Sequence, residues 1–487
     1  MTYLGIDIGT SGVKALLIDR DGRALGEAHA RAVEPVRPHP GWSEQNPADW
    51  WNAVLEAMDK LAASRPAEMA AVRGIGLSGH MHGAVLLGAN DDVLRPCILW
   101  NDGRAAEECR EMEAALPALR DIAGNIAMAG FTAPKVAWVR KHEPAVYEKI
   151  ARVLLPKAYI RLLMTGEHVE DMSDASGTLW LDVGKRDWSD ALLALTGLTR
   201  SHMPRLVEGS EVSGTLRPEL ARRWGMGSNV ILAGGAGDNA AAACGIGAIR
   251  PGEGFVSLGT SGVIFVSNDR FRPNTAGAVH AFCHAIPGTW HQMGVILSAT
   301  DSLNWLSHIT GQSQPELSAA AEAQFTGPGE EIFLPYLSGE RTPHNNAGAR
   351  GSFTGLSHLS DPARLAQAVM EGVTFAFRDS QRVLADAGTR FDRLLAVGGG
   401  SKSNLWLQLI ATTLDIEIAV PEDGDFGGAL GVARLALCAA EQESPALVMT
   451  MPAIGRALVP DPSLRQSYSD QYARYRELYP AIEEARK

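Results

Sequence analysis

Two acids and two glycine turns are the residues best suited to chemistry in this chain. Asp7 stands two residues before a Gly-Thr-Ser-Gly turn in GIDIGTSGVK (5–14), and Asp238 follows a run of glycines in AGGAGDNAAAACG (233–245). The turn, GTSGV at 9–13, recurs letter for letter at 259–263. Successive backbone N–H groups in such a turn can point to one side as an anion nest, and its hydroxyls add donors. Glycine lets an anion approach the main chain closely. Two copies, with Thr10, Ser11 and Gly12 in the first and Gly259 and Thr260 in the second, fit a polyphosphate gripped from both sides. GxxxxGK[ST] is absent, so this is no Walker-type loop.

A carboxylate beside a phosphate cradle is repulsive unless a cation lies between them. Mg²⁺ keeps several waters and takes one or two protein carboxylates, so Asp7 is a candidate magnesium residue. The alternative is an Asx-type bond that only shapes the turn. Asp238 falls at or near the N-terminus of a small-residue helix. It reads either as an N-cap or as a base that takes a proton from a substrate hydroxyl. The glycines before it leave room that a cap does not require. A third glycine turn, VGGGSKSNLW (397–406), suits a flat ligand or a phosphate.

The elements around these residues alternate between strand and helix. YLGIDIG, KALLID and RALGEA read as three strands joined by tight turns, and GEGFVSLGTSGVIFVSND repeats the hairpin. NPADWWNAVLEAMDKLAAS (46–64) has a capped start and helical spacing. The longest helical pattern, 361–388, opens with Asp-Pro and closes at a glycine. RLLAVGGGSKSNLWLQLIATTL (393–414) is strand, turn and helix. Two halves that each open with the same hairpin imply a duplication. The expected domains are 1–245 and 246–487, with a cleft between them.

With 46% hydrophobic and 21% charged residues, the 487-residue chain is ordinary for a globular protein. A net charge of −12 argues against nucleic acid as a partner. Five scattered cysteines without a CxxC spacing suggest buried thiols rather than disulfides or zinc. No window of about 18 uncharged apolar residues occurs, so no membrane span and a cytoplasmic location are expected.

In combination, GIDIGTSGVK, SLGTSGVIF, GFTAPKVAWVRKH (130–142), RGSFTGLSHLSDPARLAQAVMEG (350–372) and VGGGSKSNLWLQLIA resemble the motifs of the FGGY carbohydrate kinases, in their order and over the whole chain. The resemblance implies an α/β fold of two ribonuclease H-like, actin-like ATPase domains facing across a cleft. It also implies ATP and Mg²⁺ as cofactors. SGHMHGAVLL (78–87), ILWNDGR (98–104), DMSDASGTLWLDVGKRDWS (171–189) and FLPYLSGERTPHNN (333–346) are similar to the branch that phosphorylates D-xylulose at O5. His80 departs from a glutamine common there. Glycerol kinases differ at Met81-His82, where they resemble an Arg-Glu pair.

Carried over residue by residue, Asp238 would take the O5 proton and Asp7 would hold Mg²⁺ through water. Met81, His82 and Asn239 would contact the sugar, and Trp100 would form a wall. Thr10, Ser11, Gly259 and Thr260 would face the phosphates. Gly398, Gly399, Gly400 and Asn404 would line the adenosine site. Other family members act on ribulose, fuculose, gluconate or glycerol, and the superfold also supports non-enzymatic nucleotide switches. Homodimers occur among similar enzymes.

Overall fold

In the computed structural model, which describes residues 1–422 and 427–486, the apolar run Thr2–Ile8 (β1) turns at Gly9–Ser11 into Gly12–Ile18 (β2). A second tight turn, with Gly22 at φ 82°, leads into Ala24–Arg31 (β3). Val72–Gly79 (β4) joins parallel to β1, and Ile231–Ala233 (β6) parallel to β4. Val212–Thr215 (β5) closes the edge antiparallel to β6. The strands β1 and β4 are apolar on both faces because both faces are covered.

The second half repeats the plan. Gly254–Leu258 (β7) and Gly262–Asn268 (β8) form the hairpin. Beside β8 lies Trp290–Ile296 (β10), with His280–Cys283 (β9) beyond it, both antiparallel. On the other side Arg393–Val397 (β11) is parallel to β7, Glu417–Pro421 (β12) is parallel to β11, and Ile454–Leu458 (β13) is an antiparallel edge. Both sheets are therefore an antiparallel meander, then two parallel strands, then an antiparallel edge strand. The protein is α/β, two ribonuclease H-like halves of the actin-like ATPase type related by duplication.

The helices that matter for the site are Pro47–Ser64 (α1), Thr132–His142 (α2), Pro156–Thr165 (α3), Met172–Ser176 (α4), Asp238–Ile246 (α5), Pro362–Asp386 (α6), Asn404–Leu414 (α7) and Gly428–Glu441 (α8). Helix α1 begins where expected, with the Asn46 side chain accepting from the Ala48 N–H, and Asp361 caps α6 in the same way through Arg364. Trp50 of α1 is fully buried in the first core. All five cysteines are free and buried.

Two helices tie the halves together. Helix α8 belongs to the second half in sequence but lies on the first half's sheet. It approaches so closely that a Cβ on Gly5 would sit 1.8 Å from the Ala429 carbonyl oxygen, and one on Gly76 would sit 1.9 Å from that of Val432. Helix α5 belongs to the first half, yet its Ala243 and Ile246 share a core with Phe255, Leu395 and Ala419 of the second sheet. The two helices meet where Gly431 faces the Ala241 carbonyl, 1.8 Å from an added Cβ. Arg434 of α8 donates to the carbonyls of Cys244 (3.2 Å) and Gly245 (2.8 Å), a cation at the negative end of the α5 dipole. Among the described residues no helix is long and apolar enough to cross a membrane.

This packing predicts a sharp contrast between glycines. Gly76→Ala should destabilise the protein by about 3 kcal/mol or more, because the clash is with backbone that cannot move aside. Gly227→Ala, in open space, should stay within about 0.5 kcal/mol of the parent. Urea unfolding of the two variants checks both.

Candidate active site

The parallel strands β1 and β4 end side by side, with Asp7 in register with Ser78 and Ile8 with Gly79. The short strand Ala236–Gly237 joins β4 at the same level, Gly237 against Gly79. Three chain segments thus deliver Asp7, the His80–Gly83 turn and Asp238 to one edge, where α/β sheets bind ligands.

A cavity of about 340 Å³ opens there between the halves. Met81, His82, Trp100, Asp238 and Asn239 reach it from the first half, and Gly259 and Thr260 from the second. Sequence reasoning had not singled out Phe131, His280, Phe282 and Arg341, which also line it. Phe131 sits in the stretch GFTAPKVAWVRKH and Arg341 in FLPYLSGERTPHNN, both already noted as motifs. His280 and Phe282 alternate along a strand that carries no chemical motif.

Asp238 is the first residue of α5, and the N-cap is Gly237. Its Oδ1 accepts from its neighbour Asn239, through the backbone N (2.6 Å) and the side-chain Nδ2 (2.9 Å). Burial pushes the carboxyl up to about 6; the Asn239 bonds oppose this, and the nearby Asp7 charge adds to it. A base with that value is half ionised just below neutrality.

A buried polar chain holds the turn that carries Asp238. The Gly237 N–H donates to Ser173 Oγ on α4 (3.0 Å), and the Asp171 carboxylate accepts from the Ser173 N–H and hydroxyl. Lys157 of α3 pairs with Asp171 at 2.8 Å and also with Glu170 and Asp174. Three clustered carboxylates could hold an ion, but the Lys157 ammonium already occupies that role. Met81 packs on the other side of the turn, its sulfur 2.9 Å from where a Cβ on Gly237 would lie.

His82 takes a positive φ of 72°, a strained setting for a side chain of this size. Its carbonyl is fixed by Lys135 Nζ (2.8 Å) and Thr132 Oγ1 (3.1 Å), both from α2. Its Nδ1 lies 2.7 Å from the Gly177 carbonyl and must therefore donate, which leaves Nε2 as an acceptor. Burial lowers its pKa to about 3, so the ring is neutral. His80 is buried edge-on to Trp50 and does not line the cavity.

Trp100 lies 47% exposed at the rim, and its Nε1 donates to Thr10 Oγ1 (3.2 Å). Nearby, Arg104 grips Asp102 with two bonds and stacks on Trp42, so the Asn-Asp-Gly-Arg run is structural.

The two glycine turns sit differently. In the second, Gly259 and Thr260 spend their carbonyls on the N–H groups of Thr300 and Ala299 at the start of the next helix, which leaves the turn facing the cavity. The first turn, Thr10 to Gly12, does not line either cavity; Thr10 meets the rim through Trp100. The turns also close one residue apart in register, Ile8 against Val13 but Leu258 against Gly262. Asp7 is half-buried, its Oδ1 3.0 Å from where a Cβ on Gly428 would lie, at the start of α8.

A second cavity, of about 570 Å³, is lined by Gly398 and Gly399 and, from α5, by Ala242 and Ile246. Gly398 has φ 89°, and a Cβ there would meet the Leu258 carbonyl oxygen at 2.7 Å, so the residue is fixed by backbone and space together. Gly400 is turned away, against Leu258, and Asn404 is taken up by Arg456; neither lines the cavity.

Models of the N-terminal and C-terminal domains of the FGGY family of carbohydrate kinases match residues 2–245 and 254–440. The xylulose kinase of Escherichia coli K12 is 47% identical over 480 residues, 98% of each chain. Two crystal structures share the fold over nearly the whole of each chain. A xyloylose kinase from Brucella ovis is 54% identical with a TM-score of 0.98 over 100% of both chains. A xylulose kinase from Rhodospirillum rubrum is 29% identical with a TM-score of 0.92 over 99% of both. This chain belongs to the FGGY family of carbohydrate kinases.

Proposed function

We propose that this protein transfers the terminal phosphoryl group of ATP to O5 of D-xylulose, giving D-xylulose 5-phosphate and ADP. The observation that carries the reading is that Asp238 and the second glycine turn line one cavity, with neutral His82 and Asn239 beside them. The names of the relatives supply the sugar. The five buried thiols and the absence of a spanning helix among the described residues support a cytoplasmic place for it.

The chain's residues divide the work. Asp238 accepts the O5 proton as the new O–P bond forms and the bond to ADP breaks. Met81, His82, Asn239 and Trp100 hold the sugar so that O5 points at that carboxylate. Gly259 and Thr260 face the phosphates, and Thr10, Ser11 and Gly12 approach them from the rim. Gly398 and Gly399 wall the nucleotide, with Gly400 and Asn404 shaping the turn behind them. Phosphoryl transfer needs mainly positioning and charge neutralisation, which this arrangement supplies. Phe131 and Phe282 help keep water, the competing nucleophile, out of the sugar end.

Asp7 fits a magnesium role. It is an oxygen donor at the cleft edge, close enough to raise the pKa of Asp238, and a cation there would relieve that repulsion. Bound Mg²⁺ would neutralise phosphate charge.

Four outcomes check this. In a coupled ADP assay, D-xylulose should outpace D-ribulose, L-fuculose, gluconate and glycerol; no ADP above buffer with D-xylulose, while another acceptor is turned over, refutes the assignment. Asp238→Asn should lower kcat by about 10²–10⁴-fold while D-xylulose still binds. The base works only when ionised, so wild-type kcat/KM should fall about tenfold per pH unit below about 6 and level off above it. Asp7→Asn should raise the Mg²⁺ concentration for half-maximal rate by about tenfold or more; an unshifted metal titration removes its role.

A further inference from the structure

Arg341 ends a chain of hydrogen bonds whose donors and acceptors can be assigned one by one. Asn125 Nδ2 donates to the carbonyls of Ala123 (2.9 Å) and Ala281 (3.0 Å), so Oδ1 is the atom that faces His280 Nδ1 at 3.0 Å. His280 therefore carries its proton on Nδ1. Its Nε2 lone pair then accepts from Arg341 Nη1 at 3.2 Å. The imidazole is buried, stacked on Phe282 (centroids 5.4 Å apart) and edge-on to Phe131 (5.7 Å), so it cannot turn. Asn125 comes from the first half, whereas His280 and Arg341 come from the second.

This chain holds a guanidinium at the 340 Å³ cavity that His82 and Asp238 also line. Among the described residues Arg341 makes no ion pair, and only one of its side-chain N–H groups is bonded within the protein. The adjacent Glu340 attracts it without a direct side-chain bond: Glu340 Oε1 accepts instead from the backbone N–H groups of Leu297 (3.0 Å) and Arg341 (2.7 Å). Phe131, Phe282, Met293 and Val295, which line the same cavity, offer no acceptor side chain. A charged fork with unspent donors in such a place calls for ligand oxygens.

We propose that Arg341 is a sugar-binding, specificity-determining residue that donates to oxygens of the acceptor sugar, with His280 and Asn125 as positioning residues that hold its fork. The inference rests on the kinase reading above and deepens it. It makes the second half, otherwise the nucleotide half, a reader of the sugar.

The test varies D-xylulose and ATP separately in Arg341→Met, Arg341→Lys and Asn125→Ala, with calorimetric titration of D-xylulose alone. In Arg341→Met the KM and Kd for D-xylulose should rise about ten- to a hundredfold, the loss expected for charge-assisted hydrogen bonds. Arg341→Lys should recover only part of this, because an ammonium lacks the fork. Asn125→Ala should raise the sugar KM less than Arg341→Met, with kcat less affected than KM. A sugar KM unchanged in Arg341→Met overturns the assignment, as does a rise confined to the KM for ATP. If Arg341→Met does not fold, by circular dichroism melting, an unchanged sugar KM in both other variants overturns it. A wild type active on D-xylulose alongside such a result removes this assignment and leaves the kinase reading standing.

Discussion

The contact on which the rest depends is the crossing of α5 and α8, where Gly431 sits against the Ala241 carbonyl with no room for a methyl group. Each helix comes from one half and is packed on the sheet of the other or shares its core. Helix α5 presents Asp238, Ala242 and Ile246 at i, i+4 and i+8, which is one face of an α-helix. The first of these lines the first cavity and the other two line the second. A single rigid element therefore sets the distance between the Asp238 carboxylate and the second cavity, where the small side chain of Ala242 takes up little space. Arg434 at the far end of α5 anchors that element to α8.

Electrostatics then divides the acids of the first half. Asp171, Glu170 and Asp174 are buried around Lys157 and Arg161 and serve as scaffolding, through Ser173, for the Gly237 turn. Asp102 is likewise consumed by Arg104. Among the described residues Asp238 has no cation partner and keeps only bonds from its own neighbour, so burial outweighs those bonds and its proton affinity rises. Of these acids it is the one left able to exchange a proton with something in the cavity.

Much of this was legible in the sequence. The hairpins, α1, α6, and the strand–turn–helix at 393–414 follow from local rules of periodicity, capping and glycine placement, and the structure bears those elements out. Asp238, His82 and the second glycine turn come together because each lies beside a strand end, a position that motif spacing encodes. His280, Phe282 and Asn125 were not legible, because their significance arises from a strand edge and a loop 155 residues apart meeting across the cleft. The repeat of GTSGV overstated the symmetry. Identical letters do not report that one turn is backed by the helix starting at Thr300, while the other leans on Gln45 and Trp100.

That asymmetry has a structural logic in the duplicated sheets. Strand β4 neighbours β1 as β11 neighbours β7, so the segments that follow β4 and β11 are equivalent places. After β11 the chain turns through Gly398 and Gly399, keeps no side chains at the turn, and opens room for a nucleotide beside Gly259. After β4 it turns through His80, Met81 and His82, fills the equivalent space with side chains, and presents polar atoms suited to a sugar. One turn is bare and the other carries side chains, so the two cavities open at equivalent edges of related sheets. The helix that begins at Asp238 runs past both, which places its first residue at one cavity and Ala242 and Ile246 at the other.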